Sequence, residues 1–160
     1  MAGIGEYYKQ NNIRDIFFHI VGGVGEDSEM PVFKEIIKKY GIEKHIIFYG
    51  QLFGKALDDV FEEADFGIAS LGRHRSGITN IKTLKNREYA ARGLGFVYSE
   101  IDDDFETMHY IIKAPADESP LDISSIIDFY NNHNLTPSEI RKTIDPNLSC
   151  IQFDIGQLAH

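Results

Sequence analysis

The stretch DIFFHIVGGVGEDSEMPVFKEIIKKYGIEKHIIFYG, residues 15–50, has the pattern of a strand, a helix and a second strand. The two outer runs are apolar and end in glycine. The middle carries apolar side chains at helical spacing, from the region of Pro31 to Gly41. Strands that are apolar throughout, rather than alternating with polar residues, are typical of a parallel sheet covered by helices. This stretch therefore predicts an α/β fold.

Apolar and helical runs continue to alternate along the rest of the chain. A helical pattern precedes residue 12, and helices or strands are then predicted at residues 55–64, 65–70, 80–92, 95–99 and 108–114, before a helical tail at 121–160. We therefore expect a Rossmann-like, doubly wound parallel sheet with helices on both faces. The length of 160 residues predicts a single domain spanning residues 1–160.

The composition argues against several classes of protein. Cys150 is the one cysteine, which excludes an internal disulfide and favours a reducing compartment. No apolar run approaches the roughly 20 residues of a membrane-spanning helix, and no secretory leader opens the chain. The formal net charge of -9 argues against nucleic acid as a partner. These features predict a globular, cytoplasmic protein.

Positive charge is nevertheless concentrated in residues 71–92, here called the basic segment. It contains six of the 16 basic residues and only one of the 25 acidic ones, Glu88. The segment is either a solvated helix face beside a surface loop or a local anion site. It follows a predicted parallel strand and leads into a helix N-terminus, and both features favour anion binding. Phosphate is the natural ligand for Arg73, Arg75 and Lys82.

The carboxylate of Glu88 lies at an unexpected place in the helical pattern. Ile81, Leu84 and Ala91 recur at helical spacing, and Glu88 falls on the stripe that they define. A buried carboxylate needs a cation or hydrogen-bond donors. Glu88 therefore either pairs with Lys85 or Arg92 along the helix, or accepts hydrogen bonds from adjacent ligand hydroxyls such as those of a ribose. The residue pattern leaves both interpretations open.

Other motifs carry weaker signals. The glycines of GGVGED, residues 22–27, lack the third glycine of a dinucleotide-binding loop, and a strand-ending turn is the better interpretation. His19 lies within an apolar strand, where a hydrogen-bonded core or crevice histidine is expected rather than a metal ligand. The acidic run of residues 102–104 either caps a short helix or forms a solvated turn, with the turn favoured, and no metal-ligand spacing is present.

Three segments taken together resemble a known family. FHIVGGVGEDSEMPVFKEIIKKYGIEKHIIFYG, VFEEADFGIASL and KTLKNREYAARGLGFVYS are similar, in order and spacing, to the C-terminal domain of group 1 (family 4 type) retaining GT-B glycosyltransferases. The resemblance implies a domain that binds a nucleoside diphosphate sugar. The full enzyme would transfer the sugar, as a hexosyltransferase does, to a glycan or glycoconjugate acceptor in polysaccharide biosynthesis. It implies no metal and no cofactor besides the donor substrate.

The resemblance also implies roles for individual residues. Glu88 matches the second glutamate of the family's E-x7-E motif, which holds the ribose hydroxyls. Asn80 replaces the first glutamate, at the catalytic position beside the sugar, and is uncharged. The donor-binding residues implied near the pyrophosphate and sugar are Arg73, Arg75, Gly77, Thr79 and Lys82. Those implied elsewhere along the crevice, near the nucleobase or the first strand-ending glycines, are Gly50, Gln51, Leu52 and Gly23.

The family's enzymes have two such domains, with the acceptor site on the N-terminal one. The resemblance therefore implies a fragment without its acceptor domain and without the first, central strand of its own sheet. We expect such a fragment to be inactive alone and prone to self-association, and the full enzyme can associate peripherally with the inner face of the membrane.

The alternatives to a glycosyltransferase are a sugar-nucleotide epimerase of the same architecture and a non-catalytic α/β binding module.

Overall fold

A computed structural model describes residues 1–10, 14–23, 30–134 and 136–144. Within these residues the helices are α1 (Ala2–Lys9), α2 (Met30–Tyr40), α3 (Lys55–Glu62), α4 (Leu84–Arg92), α5 (Ile123–Asn132) and α6 (Pro137–Lys142). The strands are β1 (Phe18–Val21), β2 (Ile46–Gly50), β3 (Gly67–Ile68), β4 (Phe96–Tyr98) and β5 (Ile111–Lys113). This order confirms the predicted alternation of elements. The tail beyond Ile144, with Cys150, lies outside the described residues.

The chain divides into two compact units. The first comprises Met1–Ala64 and Asp117–Asn132, and the second comprises Asp65–Ala116 and the residues from His133 onward. In the described residues, β1 and β2 form one parallel sheet, and β3, β4 and β5 form another in that order. The prediction of an α/β fold with parallel strands is confirmed, with the strands divided between two sheets.

The first unit packs helices against the β1–β2 sheet. Its core is formed by buried apolar side chains from α1, α2, the turn that follows α2, β2 and α5: Ile4, Tyr7, Ile37, Ile42, Ile46 and Ile123. Gly5 allows α1 to lie against the ring of Tyr40, because a Cβ at this position would come within 2.2 Å of that ring. The small residue in α1 is therefore required by close packing rather than by a turn.

The second unit is built around β4, whose side chains are all fully buried. The ring of Phe96 packs among other aromatic rings, with its centroid 5.3 Å from that of Phe105 and 5.7 Å from that of Tyr98 in the same strand. Burial on both faces explains why the strand sequence is apolar throughout. The helix α6 closes this unit with a capping box, in which Thr136 and Glu139 bond each other's backbone N–H.

The predicted apolar stripe is confirmed at Ile81, which is buried just before α4, but is wrong within the helix. Leu84 is 50% exposed and Ala91 is exposed, whereas Asn86 and Ala90 are fully buried. Residues 86 and 88 differ by about 200° around a helix, so the buried face is nearly opposite to the one that the periodicity indicated. The polar residue Asn86 lies on the buried face because its amide donates to the buried carboxylate of Asp102. A short helix with a polar residue on its buried face has no clear apolar periodicity.

Candidate anion-binding site

The basic segment follows the carboxyl end of β3 within the second unit. Residues Arg73–Ser76 form a 3-10 turn that ends at Gly77, whose left-handed backbone (φ 68°) suits glycine. An extended stretch at residues 79–81 then leads into α4. The carboxyl end of β4 reaches the same sheet edge, because the two strands are parallel. The basic segment therefore lies where ligands bind in open α/β sheets.

The turn Arg73–Ser76 is held by a buried carboxylate. Glu100, just beyond β4, is only 3% exposed, and its Oε1 accepts hydrogen bonds from the backbone N–H groups of Arg73 (2.6 Å) and His74 (3.3 Å). The side chain of Lys113 donates to the backbone carbonyl of Glu100. Arg73 and Arg75 are themselves exposed. The turn thus presents two arginines at the surface over a fixed backbone.

The stretch that contains Asn80 pairs with the chain beyond β4. The N–H of Ile81 donates to the carbonyl of Ile101, and the N–H of Ile101 donates to the carbonyl of Thr79, both at 2.8 Å. Asn80 and Thr79 are exposed. The backbone around the predicted catalytic position is therefore ordered by a short parallel bridge, and the residue itself lies at the surface.

The prediction of a solvated turn at residues 102–104 is confirmed at Asp103, which is exposed in a turn, and wrong at Asp102. Asp102 is fully buried and accepts hydrogen bonds from Asn86 Nδ2 (2.9 Å) and Arg87 Nη1 (3.1 Å). Arg87 also pairs with Asp104, which lies 4.0 Å from the ammonium of Lys82. Burial of an ion pair requires such additional hydrogen bonds to offset the loss of hydration. One cation of the basic segment, Arg87, is consequently used internally.

Glu88 lies on the exposed face of α4. Its carboxylate accepts from Nε and Nη2 of Arg92, both at 3.2 Å, and 44% of its side chain is exposed. The pairing with Arg92 is the structural interpretation that the sequence left open. Exposure leaves the carboxylate accessible to solvent, so the ribose-binding role that the resemblance implies stays a prediction.

A cluster of hydrogen bonds around Glu106 holds the chain that follows β4. Glu106 Oε1 accepts from the Tyr98 hydroxyl (2.8 Å), from Lys113 Nζ (2.7 Å) and from the backbone N–H of Asp102 (3.1 Å). Desolvation favours the neutral carboxyl, but these hydrogen bonds outweigh it and hold the pKa of Glu106 below its usual value. Burial and the bond to Glu106 raise the pKa of Tyr98.

The other predicted donor-binding residues belong to the first unit. Gly50 ends β2 with a left-handed backbone (φ 69°), and its carbonyl accepts from the N–H of Gly22 at 2.7 Å. A Cβ on Gly23 would lie 3.5 Å from the side-chain amide of Gln51, so the structure brings these two residues together. Gln51 is exposed and Leu52 is half-buried. Their contact with a nucleobase stays a prediction.

His19 also lies in the first unit, half-buried in β1. Its Nδ1 is 2.9 Å from the hydroxyl of Tyr49, and the two rings are stacked. The interpretation as a hydrogen-bonded histidine is confirmed. Among the described residues, His, Cys, Asp and Glu side chains do not gather in groups of three or more that could hold a metal ion. None of the helices in the described ranges has the length and apolar character needed to cross a bilayer.

Sequence reasoning missed Glu100 and the internal use of Arg87. Glu100 and Asp102 directly follow a buried strand, at the sheet edge where ligand-binding side chains gather, and this position was the signal available. Their partners lie 27 and 15 residues away in sequence. Sequence patterns over a single helix or turn could not connect them.

The fold is that of one Rossmann-like half of a GT-B glycosyltransferase. The chain is similar to the crystal structure of AviGT4, a glycosyltransferase involved in avilamycin A biosynthesis, with a TM-score of 0.55 and 16% sequence identity. The similarity covers 79% of this chain and 36% of that one, so the chain corresponds to about a third of that enzyme's length. No protein-family model and no curated protein sequence matches.

Proposed function

We propose that this chain is the donor-binding half of a glycosyltransferase and binds a nucleoside diphosphate sugar. The observation that supports the proposal best is the 3-10 turn Arg73–Ser76, which carries exposed Arg73 and Arg75 at the carboxyl edge of a parallel sheet. Guanidinium groups bind phosphate oxygens through charge-assisted, bidentate hydrogen bonds. The GT-B-like fold and the family resemblance of the sequence supply the nucleotide sugar as the ligand class.

In this proposal the basic segment contacts the diphosphate. Arg73, Arg75 and Lys82 offset the charge that develops on the diphosphate as the sugar departs, and such electrostatic stabilisation is commonly the largest catalytic contribution. Gly77 ends the turn with a left-handed backbone, and Thr79 is exposed two residues further along the chain. Asn80 is placed beside the sugar, where its amide can donate and accept hydrogen bonds but supplies no charge. Glu88 accepts hydrogen bonds from the ribose hydroxyls.

The full enzyme would then transfer a hexosyl group to a glycan or glycoconjugate acceptor. The acceptor site and contact with the inner face of the membrane are proposals that follow from the family resemblance, and a location in the cytoplasm is a proposal that follows from the composition. No cofactor beyond the donor substrate is proposed. Residues 1–160 alone are expected to show no sugar transfer, and turnover by this chain with a donor and a simple acceptor would contradict the two-domain proposal.

The test is a calorimetric titration of the chain with UDP, GDP, ADP and CMP and with the corresponding nucleosides. We expect one nucleoside diphosphate to bind more tightly than its nucleoside, and added salt to weaken the difference. Arg73→Ala and Arg75→Ala should each weaken diphosphate binding. Lys85→Ala is the matched control, because it removes an exposed charge from α4. Equal affinity for nucleoside and diphosphate would contradict a phosphate site.

A non-catalytic binding module is the second candidate. Its support is Asn80, a neutral side chain at the position where the resemblance places a catalytic glutamate. Such a module binds the nucleotide sugar without cleaving it. The enzyme and the binding module can be distinguished by joining this chain to the acceptor-binding half of a glycosyltransferase of the same architecture. Donor hydrolysis is then assayed for the unaltered chain and for Asn80→Glu. Activity that appears only with Asn80→Glu supports the module.

A further inference from the structure

The backbone of the turn Arg73–Ser76 already has an anion bound to it. Glu100 Oε1 accepts the N–H groups of both Arg73 and His74, the first residues of the turn. Glu100 is 3% exposed, so this carboxylate is an internal part of the fold rather than a surface group. A phosphate approaching this turn would meet arginine side chains, because these backbone N–H groups are occupied.

The second oxygen of Glu100 has a different environment. Oε2 is buried and has no hydrogen-bond partner among the described residues. Buried polar atoms without a partner cost stability, so they persist where another requirement retains the group. The hydrogen bonds that Oε1 of this side chain accepts, at 2.6 and 3.3 Å, both come from the turn that carries the arginines. Holding that turn is the requirement that the geometry indicates.

We infer that Glu100 is a positioning residue, which fixes the turn Arg73–Ser76 so that the side chains of Arg73 and Arg75 are pre-organised for a diphosphate. The inference rests on the proposed function for its ligand. Pre-organisation increases affinity because the loop and its side chains lose less conformational freedom on binding. The negative charge of Glu100 works in the opposite direction, since it lies close to the site of an incoming anion.

These two effects predict opposite responses to two substitutions that remove the same charge. Glu100→Gln keeps an acceptor oxygen at Oε1 and places its NH2 group where Oε2 has no partner, so the turn stays in place. Glu100→Met has a similar volume but no acceptor for the N–H groups. Asp103→Asn is the control for a change in net charge that does not involve the turn, because Asp103 is exposed on the same stretch of chain.

Two measurements on each variant test the inference. Backbone amide exchange, followed by NMR, should remain slow at Arg73 and His74 in the unaltered chain and in Glu100→Gln, and become about tenfold faster or more in Glu100→Met. Affinity for inorganic pyrophosphate should rise about two- to fivefold in Glu100→Gln, through loss of the repelling charge, and fall below that of the unaltered chain in Glu100→Met. Asp103→Asn should change neither amide exchange nor affinity appreciably.

Unchanged exchange at both amides in Glu100→Met, or equal pyrophosphate affinity in Glu100→Met and Glu100→Gln, would overturn the inference. If Glu100→Met does not fold, Glu100→Asp replaces it, because the shorter side chain withdraws the acceptor while keeping the charge. Failure of the unaltered chain to bind pyrophosphate or any nucleoside diphosphate would overturn the proposed function instead. Amide exchange would still decide whether Glu100 holds the turn.

Discussion

Individual carboxylates in the second unit have very different environments. Glu88 is exposed and paired with Arg92 along α4, whereas Asp102 is fully buried between Asn86 and Arg87. Exposed helix pairs contribute roughly 0.2–0.5 kcal/mol, while breaking a buried pair costs about 3–5 kcal/mol. Substitutions at these two positions should therefore affect different properties of the protein.

Glu88→Gln should affect binding more than folding. If Glu88 accepts the ribose hydroxyls, loss of its charge removes hydrogen bonds worth ~1.5–3 kcal/mol each, and nucleotide affinity falls about tenfold or more. The free energy of unfolding should fall by no more than about 0.5 kcal/mol, through loss of the pair with Arg92. Calorimetric titration and urea unfolding measure both quantities.

Arg92→Gln breaks the same pair but keeps the carboxylate, so unchanged nucleotide affinity is expected there. Loss of stability without loss of affinity in Glu88→Gln would contradict the ribose-binding role.

Asp102→Ala should affect folding strongly. The substitution leaves Arg87 and the amide of Asn86 buried without this acceptor, and the expected loss is about 3–5 kcal/mol in the free energy of unfolding. Urea unfolding followed by circular dichroism checks it. Asp103→Ala, on the exposed neighbour, should stay within about 0.5 kcal/mol of the unaltered chain. Equal effects at the two positions would contradict the burial of Asp102.

At the scale of elements, the chain immediately after β4 organises the second unit. Glu100 holds the turn Arg73–Ser76, Ile101 bridges the stretch at residues 79–81, and Asp102 holds the first turns of α4. Neighbouring residues therefore fix three parts of the basic segment. This short stretch itself is tied to β5 through Glu106 and Lys113.

The pair between Glu106 and Lys113 should make stability depend on pH in the acid range. The pKa of Glu106 is lower in the folded chain than its ordinary value of 4.5. Its contribution is therefore present above pH 4.5 and is lost as the pH falls through the lower, folded value. Glu106→Gln should reduce the free energy of unfolding by about 0.5–1 kcal/mol at pH 7, because a third of each side chain is exposed. The difference from the unaltered chain should shrink below pH 4.5 in urea titrations at several pH values. A stability difference between the two proteins that stays constant with pH would contradict the lowered pKa of Glu106.

At the scale of the whole molecule, the strands form two parallel sheets within two compact units, each with its own apolar core. Parallel sheets are normally covered on both faces. The β1–β2 sheet has only two strands in the described residues, and Phe48 on β2 is 36% exposed. Strand edges and apolar side chains of this kind favour pairing with another chain.

We therefore expect concentration-dependent self-association, measured by light scattering over a range of protein concentrations. Phe48→Lys should weaken it, because a charge on an edge strand opposes pairing. Phe53→Lys is the matched control: Phe53 is 77% exposed but lies outside the strands, so self-association should persist. A protein that stays monomeric at every concentration would contradict this expectation.

The sequence by itself determined the order and type of the elements and singled out the basic segment as a candidate anion site. Apolar runs without alternation predicted parallel strands, helical spacing predicted the helices between them, and the charge distribution singled out residues 71–92. These are local properties, because strand and helix periodicity and helix capping depend on residues within about four positions of one another. Tertiary packing leaves these local features unchanged for that reason.

Only the tertiary structure decided which face of α4 is buried and which charges remain at the surface. Asn86 lies inside because Asp102 accepts its hydrogen bond, and Arg87 is drawn inward by the same carboxylate. Glu100 is buried because the N–H groups of a turn 27 residues earlier require an acceptor. A buried charge is stable only where partners from other elements converge, and that convergence is a property of the folded chain rather than of any local pattern.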